Sequence, residues 1–384
     1  MLSIFETIGL LSTIQKWMTI FEYKTDHKSR TVRYFLRIFL RLPIFYAHGY
    51  AIYDIIIIFK GYFFFASHES LVLMTVSITD LLIIKVSSLL VMFFFAIMQK
   101  RHLKLLNDIM NFEMKWVDVL SAETFERRKR IKWKYNLQFI LLLLHNFSYN
   151  FYFYFQVEEQ LGRQINVVIW YIAFICQSAY VDYIVFYLTG YVNVFLMSLS
   201  CLNPETLSVN DRMKFLLFLK EYFTMLKKIN ALFGIAIFGI LVTHLTEATT
   251  NCCFILVILT DTPANNIELI SLFILFCSLW TMGNIFIMLR ISKVGDYFEE
   301  NVTNLFSRIA ASYGEKEQTN RFDFNTKNIL LSHLHAANTI KIGCIVHVNG
   351  NVLLKALTLL IANLAVFVQF RQFEIISPRE WVEP

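Results

Sequence analysis

Hydrophobic residues in this chain fall into seven long blocks, near 42–60, 71–98, 135–156, 166–194, 231–260, 267–289 and 345–370, with polar stretches between them. Each block is close to or above the roughly 20 apolar residues that a helix needs to cross a bilayer. The pattern predicts an all-α integral membrane protein with seven transmembrane helices. The fourth and fifth blocks are longer than a bilayer requires, which predicts tilt or projection beyond it. No internal repeat and no low-complexity linker divides residues 1–384, so one membrane domain accounts for the chain. Ahead of the first block, Ile4, Phe5, Ile8, Leu11 and Ile14 recur at helical spacing, and the stretch 1–24 has neither a basic leader nor a cleavage site. It reads as an amphipathic interfacial helix rather than a signal peptide.

The polar stretches differ sharply in charge. Segments 1–41, 99–134, 195–230 and 290–344 hold 29 Lys and Arg, whereas 61–70, 157–165, 261–266 and the tail 371–384 hold 3. Basic residues stay on the cytoplasmic side of a membrane. The expectation is a cytoplasmic N-terminus, an extracellular C-terminus, and long loops inside. Rhodopsin-like receptors also have seven spans but carry the N-terminus outside, so the asymmetry argues against that class.

Composition sharpens this reading. The chain is 57% hydrophobic and 17% charged, with a mean hydropathy of +0.53; soluble domains have about 25% charged residues. It holds 38 Phe and 18 Tyr but only 12 Gly and 5 Pro, so the helices should run mostly unbroken. Net charge is +6, yet no basic run interleaves with exposed aromatics, and no nucleic acid partner is expected. The basic run 121–134 instead suits anchoring on the inner face, with contact to membrane lipid headgroups. Cys176, Cys201, Cys252, Cys253, Cys277 and Cys344 lie mostly in or beside apolar segments without paired spacing, which predicts free thiols. The sequons at Asn146 and Asn301 fall in a span and in a cytoplasmic segment, away from glycosylation.

Candidate chemistry is confined to polar side chains inside the spans, which are costly there and face a bundle interior or water. Asp54, Asp80 and Lys85 in the first two spans suit an inter-helix clamp. Asp182 lies deep in the fourth. His244 and Glu247 share a face of the fifth with Asn251, Trp280, Thr281 and Asn284 cluster on the sixth, and Trp170, Gln177 and Tyr180 on the fourth. Aromatic plates beside a few hydrogen-bonding groups are the usual lining of a small-molecule pocket; equally, such groups often do no more than bond helix to helix. His333 and His335 stand at i, i+2 and point to different sides of a helix, so no metal site is expected. No phosphate loop, His-Glu-x-x-His or nucleophile elbow occurs, so neither an enzyme nor a cofactor is expected.

The last block ends on Gln369-Phe370 after Leu364, Ala365, Val366, Phe367 and Val368. Seven spans, an internal N-terminus and this ending resemble the insect gustatory receptor family, whose last helix carries Thr-Tyr, five hydrophobic residues and Gln-Phe. Here Ala362-Asn363 stand at the Thr-Tyr positions. The resemblance implies a tetrameric, homomeric or heteromeric, ligand-gated cation channel in the plasma membrane of chemosensory neurons. It further implies a seventh helix lining the pore, a gate at Gln369-Phe370, a cytoplasmic anchor built from 99–134, 195–230 and 290–344, and an outward-open pocket for a tastant; the spans are greasier than a sugar site needs, which favours a bitter or apolar one. Lys355, Leu359, Ala362, Val366 and Gln369 recur at helical spacing on one face. Four such faces would line a narrow apolar throat ending in a ring of amides, and apolar constrictions gate by dewetting. The same spacing also suits a helix packed on its neighbours with Gln369 wet at the interface. The alternatives are an odorant-receptor-type subunit that needs a co-receptor, or a secondary transporter; the odd span count and missing repeat disfavour the transporter.

Overall fold

The computed structural model describes residues 7, 22–26, 31–35, 42, 45–53, 55–57, 71–120, 122–161, 165–200, 209–261, 267–314, 341–342, 346–347 and 350–376. A first helix, α1, occupies 45–53 and 55–57. Six long ones follow: α2 (Leu71–Lys115), α3 (Ala122–Leu161), α4 (Ile165–Ser200), α5 (Val209–Asp261), α6 (Ile267–Gly314) and α7 (Gly350–Ile376). Five of these contain stretches long and apolar enough to cross a membrane, those of α2, α4, α5, α6 and α7.

The chain is built of helices, as expected, with two minor additions. Two small antiparallel pairs lie outside the helices: β1 (Glu22–Asp26) with β2 (Thr31–Phe35), and β3 (Lys341–Ile342) with β4 (Val346–His347). The strand "TVRYF" is rich in β-branched and aromatic residues, which favour an extended pleat over a helix. The interfacial helix read over 1–24 therefore stops before Glu22, and the rest of it lies outside the described residues apart from Thr7, which is helical.

The long helices overrun the predicted spans. α2 has 45 residues, α5 has 53 and α6 has 48. At 1.5 Å per residue these measure about 68, 80 and 72 Å, against a hydrocarbon core of about 30 Å. Proline, which would break them, is absent from all three. The predicted cytoplasmic segments are thus largely helix: α2 continues through 99–115, α5 begins at Val209, and α6 runs on to Gly314.

Two zones with different chemistry result. Large apolar side chains are exposed on α2 (Leu90, Phe93, Ile97), α3 (Ile140, Leu141, Leu144, Phe147), α5 (Ile235, Phe238, Val242, Leu259), α6 (Leu272, Leu275, Met282) and α7. Those named fall inside the predicted spans, as do those of α7 other than Phe373. A surface this apolar is stable only against lipid or another subunit. Beyond the spans, charged residues link the helix extensions. Arg128 is buried and pairs with Glu113 at 2.6 Å. Lys115 and the Trp116 indole both donate to Glu221, the indole at 2.8 Å, and Lys228 meets Asp108 at 2.6 Å.

α4 is the axis of the packing. Its apolar stretch is 94% buried, against 17% for that of α7. A helix apolar on every face belongs in the centre of a bundle. Tyr183, Tyr187 and Tyr191 form a ring ladder along it, with centroids 5.9 and 4.8 Å apart, and Phe195 stacks on Tyr222 of α5 at 4.4 Å. Arg290 of α6 reaches in beside them. It donates to Thr189 at 2.9 Å and Gln138 at 2.8 Å and lies 3.9 Å over the Phe186 ring.

Candidate functional site

Inside the span zone, α3, α4, α5 and α6 each contribute polar side chains to one knot. Asp182 on α4 receives a hydrogen bond from the Asn146 amide on α3. His244 on α5 donates from Nδ1 to Asn284 Oδ1 on α6 at 2.7 Å, and its Nε2 stands 3.6 Å from Asp182 Oδ1. Asn146, Asp182, His244, Glu247 and Asn284 are all buried. One turn along α6, Trp280 stacks against His145 of α3, with centroids 6.1 Å apart and planes 22° from parallel. Gly283 makes room for that imidazole, since a Cβ there would lie 2.8 Å from His145 Nε2.

These residues line a cavity of about 10 Å³, together with Leu142, Ser178 and Ile287. That is room for about one water, whereas pockets for drug-sized ligands measure about 300–1,000 Å³. The knot is therefore closed here. Chemically it offers carboxylates, imidazoles and amides around a space the size of a single polar group, flanked by an indole face. His244 Nε2 and Asn284 Nδ2 are buried without hydrogen-bond partners among the described residues.

Of the eight residues predicted to meet a ligand, the structure brings His244, Glu247, Trp280 and Asn284 together at this cavity. Gln177 and Tyr180 go elsewhere. The Gln177 amide donates to the Ala47 carbonyl of α1 at 2.7 Å, and the Tyr180 ring meets His48 edge-on at 5.2 Å. Both hold α1 against α4. Thr281 Oγ1 bonds back to the Cys277 carbonyl of its own helix at 2.8 Å. The Trp170 side chain lies outside the described residues, as do Asp54, the Asp80 side chain and the His333-Leu-His335 stretch. Lys85, from the expected clamp, is buried on α2. Close by in sequence, the Ser87 hydroxyl bonds that of Thr243 on α5. Residues missed by sequence reasoning are His145, Asn146, Ser178 and Gly283. Asn146 had a signal, an amide in mid-span, which the overlapping sequon masked.

α7 meets the rest of the chain along a narrow stripe. Ala356, Leu360 and Phe367 are buried, Phe367 with Cys253 and Val257 of α5. The face bearing Leu359, Ala362, Val366 and Gln369 is exposed, as are Lys355 and Phe370. At the other end of the helix, the Gly350 N–H donates to Asp296 Oδ1 of α6 at 2.8 Å. Cys176, Cys252, Cys253 and Cys277 are free thiols, as expected. Cys201 and Cys344 lie outside the described residues.

No protein-family model matches the sequence, and no curated protein matches it. Among solved structures, the chain is similar to the insect olfactory receptor OR5 from Machilis hrabei in complex with eugenol, at 11% identity and a TM-score of 0.63. The same receptor in a second structure gives 10% identity and again 0.63. In both comparisons the match covers 95% of this chain and 97% of that one. At such identity the similarity concerns the fold alone: the chain shares the helical fold of that olfactory receptor.

Proposed function

We propose that this protein is a chemoreceptor of the gustatory type, one subunit of a tetrameric cation channel opened by a small-molecule tastant, with bitter or apolar compounds favoured. The observation that carries the reading is α7. It is apolar, packed on its own chain by one stripe, and presents Leu359, Ala362, Val366 and Gln369 outward on another face. A face of that kind requires a partner or lipid. Three further copies around an axis supply it and enclose an apolar throat that gates by wetting and dewetting. The N-terminus lies in the cytoplasm and the C-terminus outside the plasma membrane of a chemosensory neuron, so Gln369 and Phe370 stand at the outer mouth.

The ligand-binding end of the proposal is the knot of His244, Glu247, Trp280 and Asn284. With room for about one water it is closed in this conformation, so the ligand enters by parting α5 and α6 from α3 and α4. Differential binding to the parted state then drives the channel open. The polar groups fix a hydroxyl or similar group, and Trp280 covers an aromatic or aliphatic body.

A second reading is an odorant-type subunit that needs a co-receptor, and the olfactory identity of the similar receptors favours it. Whole-cell recording separates the two. Cells expressing the chain alone are challenged with bitter compounds and with eugenol, then again with a co-receptor present. Current from the chain alone supports the gustatory reading; current only with the co-receptor supports the odorant one. Gln369→Ala should alter ion selectivity in whichever arm conducts. Absence of ligand-evoked current in both arms, with the protein at the cell surface, would sink the channel proposal.

A further inference from the structure

We infer that the chain carries a site for one anionic phospholipid of the inner leaflet, in a groove between α2 and α5. The groove measures about 280 Å³ and lies where both helices leave the predicted spans. On α2, Phe94, Met98, Arg101 and Leu105 fall on one stripe at spacings of 4, 3 and 4, and Lys104 flanks it. α5 runs the other way, so its order is reversed: Lys228 first, then Leu232. On α2, Arg101 and Lys104 follow Phe94 and Met98, while Lys228, paired with Asp108, lies further toward the cytoplasmic end, beyond Leu105. Met98 and Arg101 are about 4.5 Å apart along the axis. The change from apolar to cationic lining is thus as abrupt as the change from acyl chain to phosphate in a lipid.

Charge complementarity fixes the occupant. The lining holds Arg101, Lys104 and Lys228 against the single carboxylate of Asp108. Asp108 is engaged with Lys228 at 2.6 Å, toward the cytoplasmic end of the groove. Arg101 and Lys104 form no ion pair among the described residues. Arg101 lies back along its helix, with Nη1 3.9 Å from Met98 Sδ, so its guanidinium is carried toward the membrane. Cations held at the rim of an apolar groove on the inner face suit a lipid phosphate, and basic pockets between helices on that side are where such headgroups bind. A lipid seated here bridges α2 and α5, two of the helices that extend furthest beyond the bilayer. The inference rests on the proposed membrane orientation and not on channel activity.

The test uses the full chain purified in detergent, titrated with dioctanoyl phosphatidylinositol bisphosphate and followed by native mass spectrometry. One saturable copy per chain is expected, with dioctanoyl phosphatidylcholine failing to compete. Each basic residue near a headgroup contributes enough to change affinity about fivefold. The triple variant Arg101→Gln, Lys104→Gln, Lys228→Gln should then lose affinity on the order of 100-fold. A control triple, Lys214→Gln, Lys220→Gln, Lys293→Gln, removes the same charge from exposed positions on α5 and α6 outside the groove and should leave the saturable copy in place. Equal loss in both triples means a diffuse basic field and overturns the site. Displacement by free inositol trisphosphate as effective as by the lipid means a soluble phosphate site and overturns the lipid assignment. Should the site triple misfold, a photoactivatable acyl-chain probe on the wild-type protein decides instead: labelling at 94–98 or 231–232 supports the groove, and labelling confined elsewhere overturns it. Epitope-tag topology is scored in parallel, so a failure of the orientation is told apart from a failure of the site.

Discussion

Single residues decide how the span zone is held together. Asp182 is a carboxylate surrounded by four apolar helices, and its acceptance of the Asn146 amide is one of the few contacts that offset its burial. Hydrogen bonds between membrane helices contribute about 0.6 kcal/mol on average and up to about 1.7. Asn146→Leu keeps the volume but strands the carboxylate, so we expect about 1–2 kcal/mol of destabilisation, read as a lower melting temperature of the detergent-purified protein. Asn146→Leu with Asp182→Leu removes both partners, and replacing a polar pair by apolar groups of like shape is nearly neutral. The double variant should therefore melt above the single one; a further drop would mean that Asp182 is held mainly by His244. The sequence made half of this knot readable. His244, Glu247 and Asn251 are polar residues recurring on one face of a long apolar helix, and that periodicity needs no structure to see. Which neighbour a face meets is a different matter. Gln177 and Tyr180 look the same as ligand-lining residues in sequence, yet they pack on α1, because α4 is apolar all round and periodicity assigns its polar residues to no partner.

At the scale of elements, α7 has the least buried of the five long apolar stretches among the described residues, so the contacts fixing its inner end carry disproportionate weight. Asp296 reaches across from α6 to accept the Gly350 N–H. It thereby caps an otherwise unsatisfied first turn and places a negative charge at the positive end of the helix dipole. Removing a capping oxygen costs about 0.5–2 kcal/mol. Asp296→Ala is expected to raise hydrogen exchange of the Gly350–Leu353 amides about tenfold, with helix 356–367 unaffected, and Asp296→Asn should restore most of the protection. Exchange unchanged in the alanine variant would show that the β3–β4 pair and side-chain packing hold this end alone. Such a long-range cap was not legible beforehand. The capping residue stands 54 positions before the helix it caps, so no local signature announces it. By contrast, the helical continuations of α2, α5 and α6 were foreshadowed by the scarcity of Gly and Pro, although charge patterning alone suggested loops.

At the scale of the whole molecule, two independent patterns describe the same boundary. One is covalent: 29 basic residues in four segments and 3 in the four that alternate with them. The other is three-dimensional: exposed Leu90, Phe93 and Ile97 give way on the same helix to exposed Lys100, Arg101 and Lys104. α5 makes the matching change in reverse order, from Lys227 and Lys228 to Ile235 and Phe238. Antiparallel neighbours must change together if a flat bilayer surface crosses both, and they do. The retention of Lys and Arg in the cytoplasm is the ground for the proposed orientation, with the basic extensions inside. Under the proposed topology of seven spans with an internal N-terminus, the C-terminus lies outside and Gln369 stands at the outer end of α7. Antibody access to terminal tags on intact cells tests the chain of reasoning in one step. A C-terminal tag should stain intact cells, and an N-terminal tag should stain only after permeabilisation. The reverse pattern would place the basic extensions outside, where the inner-leaflet lipid and the Gln369 mouth both lose their footing. A tag pair reached on the same side would mean an even number of crossings. The first helix is then the one to doubt, because it has the fewest described residues of the seven.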